Sequence, residues 1–416
     1  MSFIEFKYSN CFSKINNYKN YLNLLKNSKE LDSIIGSSNF LKIINNYDEI
    51  NKVKKLCTDL LGERKKPFKK FCIFGTGGSS LGAQTLINLL PGKNKETIIF
   101  FDNIDPIIFN ERLDKIDILN TCFIVISKSG KTPETLSQFS ALLTKCEERG
   151  IDIGKIKKNF ILITENSKNP LSSIGKEYDL LLIEHDKNIG GRFSIFSIVG
   201  LLPAYLAGVD IEKFIKGAKI SLSDALEKNT IFHIEGASLT SCLYQEKNMN
   251  INVLLTYADS LKAFGSWYRQ LWAESLGKNR LGSTPLHAVG TLDQHSQLQL
   301  YLDGPKDKFF TIIKSNFADQ GAIMHNILGK FDASYLSNKS MGDLMHAEQN
   351  ATIQTLINKN LPVREIFINK INPESLGSLI VHYFLEVIGV GIILGIDIFN
   401  QPAVDEGKIL TKNYLS

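Results

Sequence analysis

Two patterns of apolar residues alternate along most of this 416-residue chain. Short runs that are apolar at almost every position occur at 71–74, 98–101, 122–126, 160–163 and 180–183. Between some of them lie stretches with apolar residues three and four apart, such as 81–90 and 134–149. The first pattern is that of strands buried on both faces, the second that of helices with one buried stripe. Their alternation predicts an α/β fold with a mainly parallel sheet covered by helices. The first ~65 residues read as helical, with Leu and Ile at helical spacing from Tyr21 to Leu41. A helical stretch is also expected over about 194–245. Strand-like runs return at 253–255, 309–313 and 364–368, separated by helices around 260–276, 342–358 and 375–394. This predicts a second α/β unit. No Pro/Gly/Ser-rich linker marks the join, which falls somewhere in 205–250. The expected division is a helical segment 1–65, α/β units 66–215 and 216–375, and a C-terminal helix and tail 376–416.

The stretch 379–396 is apolar enough to raise the question of a membrane. It contains His382 and Glu386, and ionisable groups in so short a span favour a buried helix over a bilayer crossing. Charge changes the picture little: 48 basic against 43 acidic residues give a formal +5, too mild for a nucleic-acid protein. The densest basic run, Arg64, Lys65, Lys66, Lys69 and Lys70, has no aromatic platform and reads as a solvated loop. The six cysteines form no Cys-x-x-Cys, and Cys72 and Cys122 fall within apolar runs, as expected of buried thiols in a reducing compartment. The opening residues do not resemble a signal peptide, so a cytoplasmic location is expected.

In open α/β sheets ligands bind beyond the carboxyl ends of the strands. The first such loop is Gly75-Thr76-Gly77-Gly78-Ser79-Ser80-Leu81-Gly82. Its glycines allow close backbone approach, and the helix that follows offers free N–H groups. It is not a dinucleotide fingerprint, because Ser80 takes the third glycine position, nor a P-loop, because Ala83 stands where lysine is needed. The second loop is Ser127-Lys128-Ser129-Gly130-Lys131-Thr132-Pro133-Glu134-Thr135. Its hydroxyl residues at the start of a helix suit either simple capping or a phosphate held by neutral donors. Two such loops in one sheet point to a sugar phosphate more than to a nucleotide. No His/Cys/Asp/Glu spacing suggests a metal.

These loops, with Gly190-Gly191-Arg192-Phe193-Ser194 and the segments 270–278, 290–296 and 399–408, appear in register from about Phe71 to Lys408. Together they resemble the glucose-6-phosphate isomerase (phosphoglucose isomerase) family of the SIS-domain superfamily. The resemblance implies two SIS-type doubly wound units, no cofactor, and a homodimer acting in glycolysis and gluconeogenesis. It implies interconversion of glucose 6-phosphate and fructose 6-phosphate through a cis-enediol. By position, Glu274 resembles the base, Arg192 the cation stabilising the enediolate, and His295 the ring-opening acid, reaching the partner's site. Lys408 resembles the lysine assisting at the ring oxygen or the C1/O1 end. Gln270, Gln401, Gly78 and Ser79 look like sugar contacts, and Ser127, Lys128, Ser129, Thr132 and Thr135 like the phosphate seat. Lys131 and Thr76 depart from the usual pattern, which leaves a dual phosphoglucose/phosphomannose isomerase open. A non-catalytic sugar-phosphate sensor is disfavoured by the presence of all four reacting residues.

Overall fold

The computed structural model describes residues 3–62, 67–90 and 95–416; of the basic run, Arg64, Lys65 and Lys66 lie outside them. Two five-stranded sheets organise the chain. One holds β1 (Ile4–Ser9) at an edge and, further along the chain, β7 (Ile251–Thr256), β8 (Thr284–Val289), β9 (Lys308–Ser315) and β10 (Val363–Ile368). The other is built from β2 (Lys70–Phe74), β3 (Ile98–Phe101), β4 (Thr121–Ile126), β5 (Phe160–Thr164) and β6 (Leu181–Glu184). The β2–β6 sheet is ordered β3-β2-β4-β5-β6 and is parallel throughout. The other runs β1-β10-β9-β7-β8 and is parallel except for the β1–β10 pair.

The continuous apolar runs are explained by three layers of core. One face of each sheet turns toward a shared central cluster, which contains Ile73, Ile124 and Ile161 from the β2–β6 sheet, the first, and Leu254, Ile313 and Ile366 from the sheet of β1 and β7–β10, the second. Helices Ile198–Leu206, Ile211–Leu226, Lys262–Leu276 and Pro373–Leu394 contribute to that same cluster. The outer faces carry smaller clusters, with Phe74, Phe123 and Phe160 on one side and Val253, Phe310 and Val363 on the other. Residue 215/216, the expected unit boundary, falls inside the helix Ile211–Leu226, where Phe214, Ile215 and Ala218 are buried in the central cluster.

Two strands depart from the sequence reading. Ile4–Ser9 is an edge strand of the second sheet, not part of a helical segment; helices begin only at Tyr18–Lys26. Its Ile4-Glu5-Phe6-Lys7-Tyr8 alternation has the period of two that signals a half-buried strand. Thr284–Val289 was not expected either, because Pro285 argues against a strand. As the opposite edge of the sheet it tolerates a missing N–H.

The apolar helix Pro373–Leu394 is long enough to cross a membrane, but 89% of its apolar window is buried within the fold. Its buried carboxylate is paired inside. Glu386 receives two hydrogen bonds of 2.9 Å from Arg364 of β10 and lies 2.9 Å from His382.

Candidate active site

The glycine loop after β2 forms a single 3₁₀ turn, Gly77–Ser79. It meets the turn Gly191–Phe196 backbone to backbone. A Cβ on Gly78 would lie 2.2 Å from the Gly191 carbonyl carbon, so no side chain fits there. Ser194 Oγ ties the two together by donating to Gly78 O at 3.1 Å and to Gly191 O at 2.8 Å. This contact fixes where Arg192 emerges.

Arg192 is only 3% exposed, and each of its nitrogens is used. Nε donates to Ser275 Oγ at 2.9 Å, and one terminal nitrogen to Glu274 Oε2 at 3.2 Å and Gln401 Oε1 at 2.6 Å. The other donates to the carbonyls of Ile398 and Asn400. Burial pulls its pKa below the usual arginine value, and Glu274 opposes that pull. A fixed cation therefore stands against one oxygen of Glu274.

Glu274 lies on the helix Lys262–Leu276, one turn after Gln270. Gln270 Nε2 donates to Glu274 Oε1 at 3.0 Å, so both carboxylate oxygens are held. Gln270 Oε1 is buried and takes no hydrogen bond. The carboxylate is not sealed: its side chain is 32% exposed and lines a cavity of about 720 Å³ with Lys278, Asp397, Asn400 and Gln401. A carboxylate with a fixed seat and an open face can take a proton and return it. The neighbouring guanidinium can stabilise negative oxygen that develops there.

The second loop begins at Ser127, where β4 ends, and leads into the helix Pro133–Glu148. Ser127 Oγ and Thr132 Oγ1 are 2.8 Å apart. Thr132 is the N-cap residue, yet its side chain makes no capping bond. Plain capping therefore does not account for the hydroxyls. Thr135 Oγ1 is buried without a hydrogen bond, and Ser129 Oγ accepts from the Lys131 N–H at 3.2 Å. Gly130 has φ +61°, and a Cβ there would meet Asn169 Oδ1 at 1.9 Å. Neutral donors at a helix N-terminus form a seat suited to an anion. Lys128 sits 3.8 Å from Glu165, and Lys131 is exposed.

The structure thus brings together Arg192, Glu274, Gln270 and Gln401 beside Gly78, with Ser79 in the same turn. His295 and Lys408 are not part of this group. His295 is exposed at the start of the helix Gln294–Asp303. Lys408 Nζ pairs with Asp405 at 2.9 Å on the helix Asp405–Leu415, every residue of which is exposed. Among the described residues, no hydrogen bond or ion pair joins either to Glu274 or Arg192.

Sequence reasoning missed Ser275 and Lys278. Ser275 is completely buried one residue after Glu274, and a buried arginine needs such an acceptor. Lys278 donates to the Asp397 carbonyl, and burial together with Arg192 lowers its pKa. With Arg192 it clamps the turn that carries Gln401. Among the described residues, no group of three His, Cys, Asp or Glu side chains is placed to hold a metal ion.

A family model described as phosphoglucose isomerase matches residues 35–416. The chain belongs to the phosphoglucose isomerase family. It is 36% identical over 360 residues to a glucose-6-phosphate isomerase of Campylobacter jejuni, covering 85% of this chain and 86% of that one. It is 35% identical over 348 residues to a glucose-6-phosphate isomerase of Methanocaldococcus jannaschii, covering 82% and 83%. Among solved structures, a hypothetical protein of Thermus thermophilus superposes with a TM-score of 0.85 at 25% identity, over 99% of this chain and 100% of that one. A glucose-6-phosphate isomerase of Chlamydia trachomatis superposes with a TM-score of 0.72 at 24% identity, over 88% and 73%, and shares the fold. Within the phosphoglucose isomerase family match lie the hydroxyl loop, Arg192 and Glu274.

Proposed function

We propose that this chain is an aldose–ketose isomerase interconverting glucose 6-phosphate and fructose 6-phosphate, in glycolysis and gluconeogenesis. The observation that carries the reading is Glu274, held between Gln270 and Arg192 with one face open to the cavity. The phosphate sits on Ser127, Ser129, Thr132 and Thr135, and the sugar extends past Gly78 and Ser79 toward Glu274. Once the ring is open, Glu274 removes the proton from C2 and returns it to C1, or the reverse. Arg192 stabilises the oxygen of the cis-enediol(ate) between the two steps. Gln270 and Gln401 orient hydroxyls while holding the base and the cation.

Ring opening needs an acid that this group of residues does not include. We assign it to His295 of a second copy, with Lys408 assisting. The exposure of both side chains and the apolar Leu292 beside His295, 64% exposed, support a homodimer in which sites are completed across the interface. The chain then acts as a dimer in the cytoplasm. The test is a coupled assay in which fructose 6-phosphate is supplied and NADPH is followed through added glucose-6-phosphate dehydrogenase. Turnover is expected from the wild-type chain. Absence of turnover in a folded dimer would overturn the reading and leave a sugar-phosphate sensor.

A further inference from the structure

Lys278 stands just past the end of the helix that carries Glu274 and lines the same cavity. We propose that, given the isomerase reading above, Lys278 is a positioning residue: it holds the turn 397–401 so that Arg192 keeps its place against Glu274.

Arg192 depends on that turn for most of its partners. Ile398 and Asn400 give it their carbonyls, and Gln401 gives it Oε1 at 2.6 Å. Its other acceptors, Ser275 and Glu274, lie on the helix. The turn itself is only partly anchored. Ile396 and Ile398 are buried, while Asp397, Phe399 and Asn400 are exposed. The Asp397 carboxylate is used within the turn, accepting from the Phe399 N–H at 2.9 Å and from Asn400 Nδ2 at 2.6 Å. Those bonds stiffen the turn without tying it to the helix. Lys278 ties it, by donating from Nζ to the Asp397 carbonyl.

The contacts close a ring. Glu274 meets Arg192, Arg192 meets the turn, the turn meets Lys278, and the backbone leads from Lys278 back to Glu274. A bond made by an ammonium is among the stronger hydrogen bonds, and a fixed charge stabilises a transition state only where it is accurately placed. The surroundings of Lys278 are built rather than loose. Asn279 and Arg280 both have positive φ, 54° and 62°, and a Cβ on Gly282 would lie 2.5 Å from Leu276 O. The chain thus folds back tightly against the helix end, with backbone strain of the kind that gathers at functional sites. Burial and the like charge of Arg192 lower the Lys278 pKa, and Asp397 and Glu274 oppose them. An ammonium kept beside a second cation is not a freely solvated lysine.

The test combines amide hydrogen exchange over residues 396–402 with steady-state kinetics on fructose 6-phosphate, using the full-length protein. Lys278→Met should exchange about tenfold faster in that segment. Lys262→Met, at a lysine of the same helix that pairs with Asp259, should leave it unchanged, and neither variant should alter exchange over β4. Lys278→Met should lower kcat about tenfold with KM within about threefold, and Lys278→Arg, which keeps a donor, should recover most of kcat. In an Arg192→Lys background Lys278→Met should add less than about twofold, because both changes act at one place. Unchanged exchange in Lys278→Met, or a multiplicative loss of kcat in the double variant, would overturn the proposal while wild-type turnover upholds the isomerase reading. A raised KM at unchanged kcat would also overturn it, by making Lys278 a substrate contact. No turnover by the wild-type chain would overturn the isomerase reading, and the role of Lys278 with it.

Discussion

The molecule contains two arginine–glutamate pairs made of the same groups, and their surroundings assign them opposite tasks. Arg364 and Glu386 are fully buried, 2.9 Å apart through two hydrogen bonds from one guanidinium nitrogen, with Thr240 and His382 around the carboxylate. Burial pushes the Glu386 carboxyl up, but Arg364 and His382 outweigh it and hold it at about 2. Arg364 stays above the usual arginine range, because Glu386 outweighs its burial. That carboxylate is locked in the charged form and has no route to a ligand. Arg192 and Glu274 are joined by one longer bond of 3.2 Å, and Glu274 faces the cavity. The first pair joins β10 to the apolar helix; the second leaves a carboxylate open to the cavity, where we propose it acts as a base. Sealing, not residue type, separates a structural ion pair from a chemical one.

Weakening each pair by mutation should separate the two. Glu386→Gln leaves Arg364 buried and unpaired, and should cost about 3–5 kcal/mol of stability, read from urea denaturation. Activity per folded molecule should be unchanged. Arg192→Lys is expected to lower kcat about 10²–10³-fold, the loss typical of one oxyanion donor, and to lower the denaturation midpoint by less than Glu386→Gln does. If Arg192→Lys instead destabilises as much as Glu386→Gln, the two pairs are alike and the distinction fails.

The sealed region also has a pH signature. His233 is held at about 3, by burial first and by the neighbouring His382 second, against an ordinary value of 6.5. A histidine with a lowered native pKa binds its proton in the unfolded chain first. Its contribution is complete above about pH 6.5 and is lost as pH falls toward 3. The slope is about 1.4 kcal/mol per pH unit. Glu386 adds loss of the same sign below its ordinary value of 4.5. Denaturation midpoints measured from pH 7 down to 4 should fall steadily, and His233→Gln should flatten the curve. Smallest of all, Gln401→Leu removes one acceptor from Arg192, which keeps its other partners, and should raise KM by roughly threefold to tenfold.

Much of this architecture was legible because buried parallel strands announce themselves. Eight of the ten described strands carry apolar runs such as Cys122-Phe123-Ile124-Val125-Ile126. Ile4–Ser9 and Thr284–Val289 were hidden because edge strands are only half-buried, and one of them contains a proline. In the site, the two loops and the positions of Arg192 and Glu274 were visible as motifs. Ser275 and the carbonyls of Ile398 and Asn400, which accept from Arg192, and Lys278, which donates to the Asp397 carbonyl, were not, because such partners are selected by three-dimensional proximity. Nor could residue type separate Arg192–Glu274 from Arg364–Glu386, since only burial does. His295 and Lys408 stand on the surface, and the roles proposed for them would need a second copy.

We propose Glu274 as the base of the open pair. The direct measurement is deuterium exchange: fructose 6-phosphate is incubated with the enzyme in D₂O and the carbon-bound protons are followed by NMR. Wild type should introduce deuterium at C1 of fructose 6-phosphate and C2 of glucose 6-phosphate, and Glu274→Gln should introduce none while still binding the sugar phosphate. Exchange by Glu274→Gln at the wild-type rate would contradict the account.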